Sequence, residues 1–403
     1  MKTVNSLRIE IGVVVAGELD TVDREALGKA IEWLSDELTK THSTGGLQFC
    51  FTQLQRPEML VGFLAEPSIL LRQAQEERDR KHWDFVFVVT AAELIGKYTS
   101  SSCFAALSRP FDAAVFSTSL IDPKASGEPS GRDQRVERIA GRLGRLMLHA
   151  IGHLSGLGQM GDAENFMYRP TSASEVDRMS ELEEWQQERQ QASLIEMADP
   201  RLEEDAPANI RRWWFAPQAA WINRREIAEA VWAARPWQFP RRLSGLAIAS
   251  VSTLLVLMMT AEAWDLALAQ SIPAQILLAV LVLIAATVFV AMRQQLLIRR
   301  SSTRSEQNVV TTVSALLIVS VGLATMWVML LVFALLISSL LFSAPLIASW
   351  AASGNLAAGQ VDFGCRFAMS SFGSSLGLLI GALGASFESQ NYFQHVIFVD
   401  EEL

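Results

Sequence analysis

The sequence reads as an α/β domain followed by an all-α transmembrane bundle, and three observations carry that reading. Half of the 403 residues are hydrophobic and the net charge is -9, yet charged residues crowd the chain up to about residue 205, whereas beyond Leu243 it is mostly apolar. The early part alternates strand and helix patterns. The later part carries apolar runs of bilayer length with arginines at their ends.

Taken in order, Leu7 to Val15 alternates and then runs apolar, as a strand does. Asp20 to Leu38 has helical spacing at Leu27, Ile31, Leu34 and Leu38 behind an acidic start, and Leu47 to Leu54 returns to a strand pattern. That is a βαβ opening. A helix over Ser68 to Glu77 and a β-rich run from Trp83 to Thr90 come next. Phe104 to Leu107 and Ala113 to Ser119 read as a short hairpin or edge strands, and Arg132 to His153 as a long helix.

That helix carries the densest chemistry. His149 and His153 are four apart, so both imidazoles lie on one helical face and can reach one metal, and Gly156 suits the sharp turn that ends the helix. Asn165-Phe166-Met167-Tyr168 follows. The stretch resembles the zinc-binding helix and Met-turn of metzincin peptidases, and the element order over residues 7 to 190 is similar to archaemetzincins. The resemblance implies a zincin-like domain with a mixed twisted sheet, zinc as cofactor, Met167 as the hydrophobic floor of the site, and an edge strand at Phe104 to Ser108 that aligns an extended peptide.

Two departures strike the chemistry itself. Ala150 stands where the family has its general-base glutamate, and a methyl group cannot take a proton from water. Gln159 stands at the third-ligand position, where an uncharged amide oxygen is a poor donor to zinc beside imidazole or carboxylate. Asp162 and Glu164 are the nearby acids that could stand in. The cysteine cluster that holds a second zinc in archaemetzincins has no counterpart, since Cys50, Cys103 and Cys365 are scattered and fit a reducing compartment.

Leu243 to Met259 and Ile272 to Met292 are long enough to cross a bilayer. Arg224, Arg225, Arg235, Arg241 and Arg242 precede the first; Arg293, Arg299, Arg300 and Arg304 follow the second. The loop between them holds Glu262 and Asp265 and no basic residue, so the positive-inside bias puts the basic flanks in the cytosol. Val309 to Trp350 reads as one long helix with an interfacial stretch or as two spans meeting near Ser338-Ser339, and Phe367 to Ala385 is a last span rich in glycine and serine. The count is four or five. No span contains an internal Lys, Arg, Asp, Glu or His, which weighs against an ion or proton pathway. With Glu10 interrupting the early apolar stretch no cleavable signal is expected, and the first domain is expected in the cytosol of a bacterial-type inner-membrane protein.

Between the halves, Glu175 to Asp205 is acidic, with Met179, Leu182, Trp185 and Arg189 at helical spacing, and reads as a helix running into a solvated linker. Trp213, Trp214, Trp221, Trp232 and Trp237 then interleave with arginines, a mixture suited to a lipid headgroup region; its place against a span favours lipid over nucleic acid. The organisation expected is a domain over 1–190, a linker and membrane-surface segment over 191–242, a bundle over 243–385 and a tail over 386–403. Within the tail, Asn391 to Asp400 looks strand-like and could return to the first domain only if the span count is even. The preferred function is a membrane-anchored archaemetzincin-like protein, degenerate in catalysis, that binds a peptide or protein partner beside the bilayer. An active zinc peptidase whose base was replaced by Ala150, and a sensory subunit of a pore or transporter, are the alternatives.

Overall fold

The computed structural model describes residues 7–42, 46–60, 62–98, 102–125, 127–128, 130–198, 212–296, 306–351, 358–384 and 390–403. The chain divides into two compact units: Met1–Ala233 with Ser301–Thr311 and Phe398–Leu403, and Ala234–Arg300 with Thr312–Ile397.

The first unit is built on a six-stranded mixed sheet. Strands β1 (Leu7–Ala16), β2 (Leu47–Arg56), β4 (Phe85–Thr90) and β8 (Ala113–Ser117) are parallel neighbours in the order β2-β1-β4-β8. Beside β8 run the antiparallel β7 (Ala105–Ser108) and then β9 (Glu401–Glu402). Helix α1 (Thr21–Thr41) starts at Asp20, whose carboxylate accepts the Asp23 amide at 2.7 Å, and it packs against α3 (Arg132–Leu154) over one sheet face. Gly144 allows this approach, since a Cβ there would lie 2.5 Å from the Trp33 ring.

Helix α2 (Pro67–Lys81) covers the other face, against β4 and β8. Its Arg78 is fully buried and donates to the Phe111 carbonyl at 2.5 Å and the Asp112 carboxylate at 2.7 Å. A second small sheet joins β3 (Leu64–Ala65), β5 (Glu93–Ile95) and β6 (Ser102–Cys103).

The acidic stretch departs from the single expected helix. A one-turn helix α4 (Ala173–Val176) is followed by α5 (Glu184–Met197), with Met179 and Leu182 buried between them outside any helix. Burial of those two side chains in the core explains their apolar character without helical periodicity. Residues 199–211, where the expected linker continues to Asp205, lie outside the described residues. Helices α6 (Arg212–Ile222) and α7 (Arg224–Ala233) follow, with the Arg224 guanidinium 5.3 Å from the Trp221 ring centroid.

Among the described residues, three helices are long and apolar enough to cross a membrane, up to four if the helices over 224–242 and 244–258 count as one broken span. The expected span at 243–259 is a 15-residue helix, Ser244–Met258, too short to cross unaided. The region from Val309 to Trp350 holds one unbroken helix, Glu306–Leu341, and a seven-residue helix after it. Ser338 and Ser339 sit inside that long helix, so a five-span count has no break to rest on. Arg299, Arg300 and Arg304 lie outside the described residues, as does Ala385 at the end of the last expected span.

The last long helix, Phe363–Gly384, lays its glycines on Ser244–Met258: a Cβ on Gly377 would meet the Ser250 carbonyl at 2.9 Å, and one on Gly381 the Leu246 carbonyl at 3.0 Å. The small residues serve close helix contact. Asn391 to Asp400 departs from its strand-like appearance, since Gln390–Phe398 is helical and strand structure begins only at Glu401. Phe393, Val396 and Ile397 are buried at helical spacing, and packing overrides their β propensity.

Candidate functional site

The site forms where α3 ends against β7 and β9. Helix α3 presents His149, fully buried, and His153 one turn later. Two glycines shape this end. Gly152 leaves room for Met167, whose sulfur would lie 2.4 Å from a Cβ at that position. Gly156 has φ +93°, a left-handed conformation that favours glycine, and a Cβ there would also lie 2.5 Å from the Arg109 guanidinium. The turn carrying Met167 is fixed by Asn165, whose Oδ1 accepts the Met167 amide at 2.8 Å and whose Nδ2 donates to Gln186 at 2.8 Å. Met167 is fully buried below the histidines' helix.

The sequence-expected residues His149, His153, Gln159 and Met167 therefore converge. Asp162 and Glu164 do not join them: both are exposed, and the Asp162 carboxylate accepts the Glu164 amide at 3.1 Å. The acids that reach the histidines come from the far end of the chain. Glu401 places Oε2 3.6 Å from His149 Nε2 and 3.1 Å from His153 Nδ1, and its Oε1 accepts the Gln159 amide at 2.5 Å. Asp400 Oδ2 lies 3.7 Å from His153 Nε2 and accepts the Arg109 backbone amide at 2.6 Å.

Charge follows this geometry. Burial by itself would lower the His153 pKa, but hydrogen bonds and charge from Asp400 and Glu401 outweigh it and raise the value to about 9. Burial by itself would raise that of Glu401, but His149 and His153 hold the carboxyl well below its usual range. The centre is an imidazolium held between carboxylates.

The same strand is anchored further along. Glu402 is fully buried and its carboxylate accepts the backbone amides of Lys97 at 2.9 Å and Tyr98 at 2.8 Å. Arg169 donates to the Glu402 carbonyl at 3.1 Å. Backbone bonds run from Asp400 to the Leu107 carbonyl, from Leu403 to the Ala105 carbonyl and from Phe104 to the Leu403 carbonyl, at 2.8 to 2.9 Å. Leu403 enters the hydrophobic core. The edge expected at Phe104 to Ser108 thus has a strand already laid along it.

Zinc can be tested against these donors. His149 Nδ1 is 2.7 Å from the Phe166 carbonyl, which orients the ring so that Nε2, 3.6 Å from Glu401 Oε2, is the nitrogen a metal would have to use. The other donors do not follow. Both nitrogens of His153 face carboxylates, Gln159 offers its amide N–H to Glu401, and among the described residues no group of three or more His, Cys, Asp or Glu is placed to hold a metal. The residues as arranged do not fit zinc. Ala150, where the sequence resemblance leads one to expect a base, is fully buried.

Sequence reasoning missed Asp400, Glu401 and Glu402. Their signal was the run of three acids directly behind apolar Val396-Ile-Phe-Val399, a pattern that reads as a solvated tail unless its partners are known. The expected membrane-surface residues divide by exposure: Trp221, Trp232 and Trp237 are 71%, 73% and 41% exposed. The side chains of Trp213 and Trp214 lie outside the described residues.

No family model matches this chain, and no curated protein matches it. Among solved structures it is similar to an archaemetzincin of Methanopyrus kandleri at 19% identity and TM-score 0.37, over 47% of this chain and 97% of that one. It is also similar to a zinc-dependent peptidase of Methanocorpusculum labreanum at 15% identity and TM-score 0.36, over 45% of this chain and 99% of that one. A third likeness is the archaemetzincin of Archaeoglobus fulgidus complexed with malonate, at 15% identity and TM-score 0.32, over 45% and 99%.

Proposed function

We propose that the chain is a membrane-anchored, archaemetzincin-like protein that holds a peptide or protein segment in extended form beside the bilayer without cutting it. One observation carries the reading: the place where peptide hydrolysis would need a base, a metal and an open edge has Ala150, a histidine pair engaged by carboxylates, and a strand laid along β7. Water activation by a peptidase needs a proton acceptor beside the attacked carbonyl, and an alanine methyl provides none. Extended-peptide capture needs only a strand edge and receivers for side chains, and the pairing of β9 on β7 is an arrangement of that kind.

Membrane attachment is supported by the three long apolar helices and by the exposed tryptophans among arginines that precede them. The distribution of Arg224, Arg225, Arg241 and Arg242 favours a cytosolic first unit in an inner membrane. The packing of the Phe363–Gly384 glycines against another helix speaks for an anchor over a pore.

The test is proteolysis by the detergent-solubilised chain with zinc supplied, against a library of unstructured peptides. No cleavage is expected above a heat-inactivated control. Turnover that disappears in His149→Ala would refute the non-cutting reading and favour the peptidase alternative.

A further inference from the structure

We propose that Asp400–Leu403 is an in-cis ligand of the β7 groove, and that the groove's partner in trans is an extended acidic peptide that displaces it; this rests on the non-cutting reading above. The assignment follows from how the segment is held. Side chains alternate along a strand, and here each direction has its own receiver. Glu401 and Leu403 point to the α3 side, the first to His149, His153 and Gln159 and the second into the core. Glu402 points the other way, to the amides of Lys97 and Tyr98. Asp400 caps the start of the segment on the Arg109 amide.

Apart from the apolar Leu403 side chain, these contacts are made by backbone or by acid side chains, so a separate peptide of the same pattern can make them all. The groove suits an acidic strand by its placement of groups, with the imidazoles of His149 and His153 3.6 and 3.1 Å from the Glu401 carboxylate and Arg169 on the Glu402 carbonyl.

The segment is also built to leave. Its ladder is two residues long, Ala106 opposite Glu402 and Leu107 opposite Glu401. Taking carboxylates out of water costs free energy that the ion pairs and hydrogen bonds roughly return, so such a strand gives specificity with little net stability. Its covalent tether adds an effective concentration on the order of millimolar. A free peptide at micromolar concentration cannot compete with that unless the in-cis copy is weakened.

The experiment uses the full chain in detergent micelles and a fluorescein-labelled peptide of residues 397–403, read by anisotropy. The double variant E401Q/E402Q is expected to bind the peptide at least about tenfold more tightly than the wild-type chain does, and not to bind a peptide with lysines in place of its acids. A variant with wild-type circular dichroism that fails to bind, or a wild-type chain that binds equally well, overturns the proposal. Should the variant not fold, amide exchange on the wild-type chain decides. The amides of Asp400 and Leu403 are then expected to exchange at least about tenfold faster than those of β4; equal rates would make β9 a permanent part of the sheet and overturn the proposal. Binding accompanied by cleavage of the peptide would sink the non-cutting reading while upholding displacement. Absence of binding without cleavage would sink displacement alone.

Discussion

Strands β4 and β9 belong to the same sheet and both are sealed from water, but by opposite means. All six residues of β4 are buried and five are apolar, with Phe87 edge-on to Phe116 at 5.6 Å. The two residues of β9 are also buried, and both are glutamates. An apolar strand is held by any well-packed surroundings, whereas a buried carboxylate is held only where specific donors meet it. The first strand is therefore held by packing alone, and the second only by the donors that meet its carboxylates.

The largest expected effect lies in β4. Phe87→Ala should cost about 3–5 kcal/mol of first-unit stability in urea, and a loss below about 1 kcal/mol would show that the sheet does not depend on this packing. In β9, Glu402→Ala leaves the Lys97 and Tyr98 amides without their carboxylate and should cost about 1.5–3 kcal/mol. That loss should appear as faster exchange at Asp400 and Leu403 with β4 unchanged. Acceleration of both strands together would erase the distinction drawn between them.

At the end of α3, Gly152→Ala pushes against Met167 and should cost about 1–3 kcal/mol, and a double-mutant cycle with Met167→Ala should recover part of it. Additive costs would mean that the two do not press on each other.

Asp23 sharpens the comparison from the other side, as a buried acid whose compensation falls short. Burial and neighbouring Asp20 raise its pKa from 3.8 to about 6, despite the Thr118 hydroxyl bond. The proton is bound more tightly in the folded state, so this contribution to stability is complete below 3.8 and is lost as pH rises through about 6. Asp23→Asn should thus stabilise the fold by on the order of 1–2 kcal/mol at pH 7. The advantage should vanish below pH 3.8, and urea melts at the two pH values check it; an equal gain at both would assign the effect to something other than ionisation.

The same contrast explains what the sequence disclosed. Helix α3, the turn at Gly156 and the placement of Met167 follow from local spacing, and the order of β1, α1, β2, α2 and β4 follows from apolar periodicity. The closing segment was not legible in that way. Glu401 and Glu402 look like solvent-exposed acids, and their receivers are backbone amides and imidazoles hundreds of residues away in sequence. Val396 to Val399 looked like a strand because β-branched residues suit one, while burial of Phe393, Val396 and Ile397 on one helical face decided otherwise. Asp162 and Glu164 were reasonable ligands by proximity along the chain, and their exposed placement removes them.

The most direct test of the central claim is zinc stoichiometry of the purified full-length chain by elemental analysis, after dialysis against a weak chelator. If Glu401 and Asp400 serve the histidines in place of a metal, zinc should be near zero in a folded chain. One zinc per chain, lost in His149→Ala, would contradict that claim and return the site to peptidase chemistry.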